Sequence, residues 1–235
     1  MDDSYRDILW LVSTWVLPLV LAITLHEAAH GFAAKRLGDD TAEKLGRVTL
    51  NPLKHIDLFG TILLPALLIA SPLPFVFGYA KPVPVNFARL RQPRRGMVLV
   101  AIAGPAMNVA LAVIAALMLH LVPFLAGTAG QWLAANCINA ILLNLLLAVF
   151  NMLPLPPLDG GRVAVGLLPR ALAMPLARLE RYGIVVLIGA LFLLPYLSRM
   201  MGVEVNVFHW LIWKPVSWLL PFFTELGGVT IRGTL

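Results

Sequence analysis

Three long stretches of the chain carry no charge. Ile8 to Leu25 runs 18 residues, Met97 to Leu121 runs 25, and Gln131 to Leu158 runs 28. A helix needs about 20 mainly apolar residues to cross a bilayer's hydrocarbon core, so the pattern predicts an all-α polytopic membrane protein. The first helix keeps its character from near Ile8 to about Leu37, roughly 45 Å at 1.5 Å per residue. That exceeds the core thickness, so its second half runs on into the interface. Lys35 and Arg36 mark the exit, and Gly38-Asp39-Asp40 stops the helix.

Residues 39–57 are polar, and the stretch from Arg47 to Pro52 reads as a short strand and turn. Leu58 to Tyr79 is apolar but interrupted by Pro65, Pro72 and Pro74. Lys81 to Phe87 reads as extended, because its alternating prolines forbid helix. Arg89, Arg91, Arg94 and Arg95 belong on the cytoplasmic side. Residues 58–80 then enter and return on one side as a re-entrant segment, the alternative being a plain crossing with the arginines outside. Met97–Val122 leads outward, residues 127–130 turn outside, and Trp132–Leu153 returns. Arg162, Arg170, Arg178 and Arg181 are again inside, and Tyr182–Leu197 leads outward. Residues 205–223 fit either a crossing or an interfacial helix, as Trp210, Trp213, Lys214, Pro215 and Trp218 allow. The expectation is one membrane-embedded domain over 1–235, with a core at about 8–170 and C-terminal helices at about 171–235. It holds about five to six transmembrane helices, a re-entrant segment and a small membrane-associated β element.

Composition agrees: 60% of residues are hydrophobic and 13% charged. The net charge of +6 lies mostly in short loops between apolar runs, where it sets topology and gives no sign of nucleic-acid binding. The acidic start, Met1 to Asp7, argues against a cleavable signal peptide and places the N-terminus outside. The lone cysteine, Cys137, sits in an apolar run and reads as packing.

Against this background T-L-H-E-A-A-H-G, residues 24–31, is out of place. His26 and His30 are i and i+4 on a helix, so both imidazoles face one way about a turn apart. That arrangement suits one zinc ion, with Glu27 beside it as general base. An HExxH string arises by chance about once in a hundred chains of this length. Three ionisable side chains within five residues of a membrane helix, however, are costly and functional by default. Two imidazoles leave a catalytic zinc short of its usual three protein ligands, and a carboxylate is a common third. Asp159 is the only carboxylate between Asp57 and Glu180. It lies in P-L-P-P-L-D-G-G-R, on the side where the HExxH helix emerges. Capping the following helix would also suit it, but a metal at His26 and His30 makes it the expected third ligand. Pro154, Pro156 and Pro157 end the preceding helix in a rigid bend, and Gly160-Gly161 leaves room beside it.

Together, HExxH on a first long membrane helix and N-x-x-P-x-P-P-L-D-G-G-R downstream resemble the site-2 protease family of intramembrane zinc metalloproteases. G-R-V-T-L-N-P-L-K-H-I-D-x-F-G and G-Y-A-K-P-V-P-V-N are similar to its small prokaryotic branch without added regulatory domains. The resemblance covers about residues 8–170. It implies zinc held by His26, His30 and Asp159, Glu27 as the catalytic glutamate, and Asn151 holding substrate or stabilising the oxyanion. Asn108, in G-P-A-M-N, matches a further motif on the intervening core helix. An interhelical hydrogen bond suits it equally.

The implied function is hydrolysis of a peptide bond within or near the transmembrane segment of a single-span client in a prokaryotic cell membrane, with the site toward the cytoplasm. The client must unwind to present a carbonyl, and an edge at residues 83–87 or 47–50 could hold it extended. Two other classes stay open. A membrane zincin acting on soluble or lipidated peptides would take Glu180 as its third ligand. An ion-coupled transporter would use the same groups as a pathway. His55, His120 and His209 are singletons that read as packing or interfacial residues.

Overall fold

The computed structural model describes residues 3–63, 67 and 81–229. Its helices are α1 (Asp3–Arg36), the single turn α2 (Thr41–Lys44), α3 (Pro93–Leu119), α4 (Gly127–Asn151), α5 (Asp159–Leu167), α6 (Arg170–Arg178), α7 (Gly183–Ile188), α8 (Leu194–Met200) and α9 (Lys214–Leu226). Four helical stretches are long and apolar enough to cross a membrane: Tyr5–Arg36, Pro93–Phe124, Gly127–Asn151 and Arg170–Met200. They overlap the four firm spans read from the sequence. The expected outside turn at 127–130 is instead the first turn of α4, entered through Gly127 at a φ of 59°. The last stretch begins well before Tyr182, because α6, α7 and α8 follow one another through tight and wide helical turns.

Helices α1, α3 and α4 form the centre and pack on one another. On α3 the buried positions include Gly96, Ala101, Gly104, Ala112, Ala115 and Ala116. Small residues let backbones approach closely where lipid supplies no hydrophobic drive between helices. Helix α9 packs on the bundle. Its Val216, Leu220 and Phe223 enter one apolar cluster with Ala112, Ala116 and Leu119 of α3 and Cys137, Ile141 and Leu145 of α4. His120 Nε2 donates to the Leu226 carbonyl at 2.9 Å, tying the ends of α9 and α3 together.

Of the proposed re-entrant segment, Leu58–Leu63 is a wide helical turn whose Gly60 N–H is accepted by Asp57 at 2.7 Å. Residues 64–66 and 68–80 lie outside the described residues. The expected β element is corrected: among the described residues no strand forms. Residues 48–50 are a series of bends, and 81–86 has no ladder partner. Proline supplies no N–H at 82 and 84, and the donors at 83 and 86 are taken by side-chain carboxylates of Glu27 and Asp39. A ladder needs donors that this segment has already spent.

The segment is held at the end of α1. The Arg91 N–H donates to the Leu37 carbonyl at 3.0 Å, and Asn86 N–H donates to Asp39 Oδ2 at 2.6 Å. Leu90, Ala34 and Val100 form a small core beneath, flanked by Val85 and Phe87. Arg94 ties the start of α3 to the end of α5 through the carbonyls of Gly166 and Leu168. The α7–α8 arm is sparsely packed and leaves Ile184, Val185, Ile188, Leu193 and Tyr196 exposed. Its start presses on the bend before α5: a Cβ on Gly183 would lie 1.7 Å from the Pro156 carbonyl oxygen.

Candidate metal centre

The two histidines sit where α1 passes closest to α3. Both are 7% exposed, with ring centroids 4.7 Å apart and planes nearly perpendicular at 84°. Their Nε2 atoms are 3.1 Å apart. Asp159, 5% exposed at the first turn of α5, brings Oδ2 to 3.2 Å from His26 Nε2 and 3.3 Å from His30 Nε2. The carboxylate therefore faces the histidines and makes no cap bond. What turns it back is the bend at 152–158 together with two glycines. A Cβ on Gly160 would meet the Met152 carbonyl at 2.2 Å, and one on Gly161 would meet Pro156 N at 2.1 Å. Only residues without a side chain let the first turn of α5 fold against its own approach.

Hydrogen bonding on the far side of each ring sets the tautomers. His30 Nδ1 lies 2.7 Å from the Val100 carbonyl, which can only accept, so Nδ1 carries the proton. His26 Nδ1 lies 2.6 Å from Asn108 Oδ1. The Asn108 amide nitrogen donates to the Ala22 carbonyl at 3.2 Å and to Asn144 Oδ1 at 2.8 Å, so its oxygen must face His26 and accept. Asn144 is oriented in turn by donating to the Ala140 carbonyl at 2.8 Å. Both imidazoles thus aim an Nε2 lone pair inward, at a carboxylate oxygen that is buried and has no hydrogen-bond donor of its own.

Three acceptors facing one another in a buried space repel unless a cation lies between them. Two imidazoles and a carboxylate, the rings braced from behind by a carbonyl and an amide, are a donor set suited to a divalent metal ion. Among the described residues this is the one such group of three His, Cys, Asp or Glu side chains. Gly104 of α3 belongs to it as well. A Cβ there would come within 2.4 Å of His30 Nε2 and 2.6 Å of His26 Nε2, so α3 can pass beside the inward-facing nitrogens only as glycine.

The remaining predicted residues lie as follows. Glu27 follows His26 on α1, half-buried, and its Oε2 accepts from the Val83 N–H at 2.8 Å. Asn151 closes α4, where its amide donates to the Leu147 carbonyl one turn back at 3.0 Å, away from the hydrogen bonds of the triad. Glu180 is half-exposed and 3.5 Å from Arg162, apart from the histidines. The singletons divide. His55 is fully buried, with Nε2 donating to the Thr49 carbonyl at 3.0 Å, while His120 fastens α9. Sequence reasoning missed Asn144, the carbonyl of Val100, and the approach of Gly104 (the first residue of G-P-A-M-N) to the two imidazoles. For Asn144 there was a signal: a polar amide deep in an apolar run is costly and needs a partner.

The fold and the triad together define a helical membrane protein with a buried group of two histidines and one aspartate that could hold a metal ion. The sequence matches the family model of peptidase family M50 over residues 14–195, which contains every residue of the centre. The chain belongs to that family. It is 41% identical over 213 residues to a Bacillus subtilis strain 168 protein named as a candidate zinc metalloprotease, YwhC, covering 88% of this chain and 92% of that one. Two mycobacterial proteins, named as candidate zinc metalloproteases Rip2, are similar. That of Mycolicibacterium smegmatis is 33% identical over 77% of this chain and 66% of its own length. That of Mycobacterium tuberculosis H37Rv is 32% identical over 86% and 79%. No solved structure gives a significant match.

Proposed function

We propose that this protein is an intramembrane zinc metalloprotease that hydrolyses a peptide bond within or near the transmembrane segment of a client membrane protein. The observation that carries the reading is the convergence of His26, His30 and Asp159 with both imidazole lone pairs aimed inward. The position of His26 supports the substrate class: it directly follows the charge-free run Ile8–Leu25 on a helix long and apolar enough to cross a membrane, so a client can reach it from the bilayer or its border.

A zinc ion held by the triad supplies Lewis acidity toward the scissile carbonyl and makes water a usable nucleophile near neutral pH. Glu27 takes the proton of the attacking water and delivers it to the leaving amine. Asn108 keeps His26 in the tautomer that binds metal, and Val100 does the same for His30. Asn151 holds the client or donates to the developing oxyanion, after releasing its bond to Leu147. The N-terminus lies outside a prokaryotic cell membrane, and the site opens toward the cytoplasm.

The test is reconstitution in liposomes with candidate single-span clients, with and without a chelator, mapping the cut by mass spectrometry. The expected outcome is chelator-sensitive cleavage at a bond inside or bordering the client's span. Glu27→Gln should keep its zinc and lose cleavage. Cleavage confined to soluble peptides would favour the zincin reading instead.

A further inference from the structure

We propose that the backbone N–H of Val83 is a positioning group for the catalytic carboxylate: it fixes one oxygen of Glu27 and leaves the other for the proton of the attacking water. This rests on the proposed function, in which Glu27 is the base. The bond joins residues 56 positions apart, Val83 N–H to Glu27 Oε2 at 2.8 Å. A glutamate on a helix otherwise samples several rotamers, and one that is held reacts from one geometry.

The donor is itself immobilised from several directions. Lys81 N–H donates to the His55 carbonyl at 2.8 Å on one side, and Asn86 N–H donates to Asp39 Oδ2 at 2.6 Å on the other. Pro84 restricts Val83 to extended backbone. Pro82 and Pro84 have no N–H, so between Lys81 and Val85 the Val83 amide is the one donor the chain can offer. The Val83 side chain is buried against Gly31, one turn beyond Glu27. A Cβ on Gly31 would lie 3.2 Å from Val83 Cγ1 and 3.4 Å from Val48 Cγ2. Glycine after the second histidine therefore lets this extended segment lie close enough to α1 for its amide to reach the glutamate. The segment read from sequence as an edge for the client acts first on the base.

The test replaces the Val83 amide with an ester, by placing the α-hydroxy acid analogue of valine at position 83 of the full-length, zinc-loaded protein in liposomes. Shape is kept and only the donor is lost. The control is the same replacement at Val85. The expected result is a kcat roughly tenfold or more lower, with zinc content unchanged, KM within about twofold, and the Val85 ester unaffected. Three results overturn the inference: an unchanged kcat, a raised KM at unchanged kcat (the N–H would then serve the client), or loss of zinc along with activity. An active Glu27→Gln protein would overturn the proposed function and this inference with it. A normal Val83 ester in a protein whose Glu27→Gln variant is inactive overturns this inference alone.

Discussion

Asn108 Oδ1 lies 2.6 Å from Nδ1 of His26, and Asn108 in turn donates to Asn144 at 2.8 Å. An amide that can only accept at its oxygen forces the proton onto Nδ1 and frees Nε2 for metal. Groups that orient ligating histidines typically contribute 10–100-fold to metal affinity. Asn108→Ala should therefore weaken zinc binding by about that range, and Asn144→Ala by less, because it acts through Asn108. Competition against a chromogenic chelator measures both.

Gly104 gives a steric counterpart. With a Cβ 2.4–2.6 Å from both Nε2 atoms, Gly104→Ala must rotate the rings or push α3 away. The expected result is a protein that inserts and folds but retains little zinc, read from metal content per purified protein. Full occupancy would show that α3 gives way without cost.

Asp159 and Glu180 separate the two metalloprotease readings. Asp159 is buried against both histidines, while Glu180 pairs at the surface with Arg162. Asp159→Asn should abolish tight zinc binding and cleavage; Glu180→Gln should leave zinc stoichiometry at wild-type level.

Asp39 makes the C-terminal end of α1 sensitive to acid. Burial alone would raise its carboxyl's pKa. The Thr41 hydroxyl, the amides of Asn86 and Thr41, and the charge of Arg89 outweigh that and hold it below the ordinary carboxylate value. A carboxyl depressed in the folded state adds stability above its unfolded value and loses it as pH falls through the folded one. The clamp should hold at neutral pH and fail in the acid range below about pH 4. Asp39→Ala leaves the Asn86 N–H without its acceptor and should cost roughly 1–3 kcal/mol at neutral pH. Thermal melts of wild type and variant, compared from pH 7 downward, should converge in acid.

Much of this centre was legible because its chemistry is carried by side chains at tell-tale positions. Two imidazoles four apart on a membrane helix, and one acid in a long region without others, leave few partners to choose from. The parts that escaped were of two kinds. The Val100 carbonyl and the Val83 N–H are backbone groups, and every residue has them, so no letter marks their use. The β element was misread because alternating prolines do report an extended chain, yet they also remove the donors a ladder requires. Residues 205–223 were ambiguous for a third reason. Tryptophans and a lysine suit the interface, and only the stripe Val216, Leu220 and Phe223, seated on α3 and α4, reveals the packed face.

The triad's donors come from opposite halves of the chain, with α2, α3 and α4 between them. During synthesis the nascent polypeptide inserts a helix bearing two imidazoles long before the third donor leaves the ribosome. On the proposed function the cage is then still incomplete. The full ligand set exists only once the proline bend has carried Asp159 back to α1, so activity waits on the synthesis of the chain's second half.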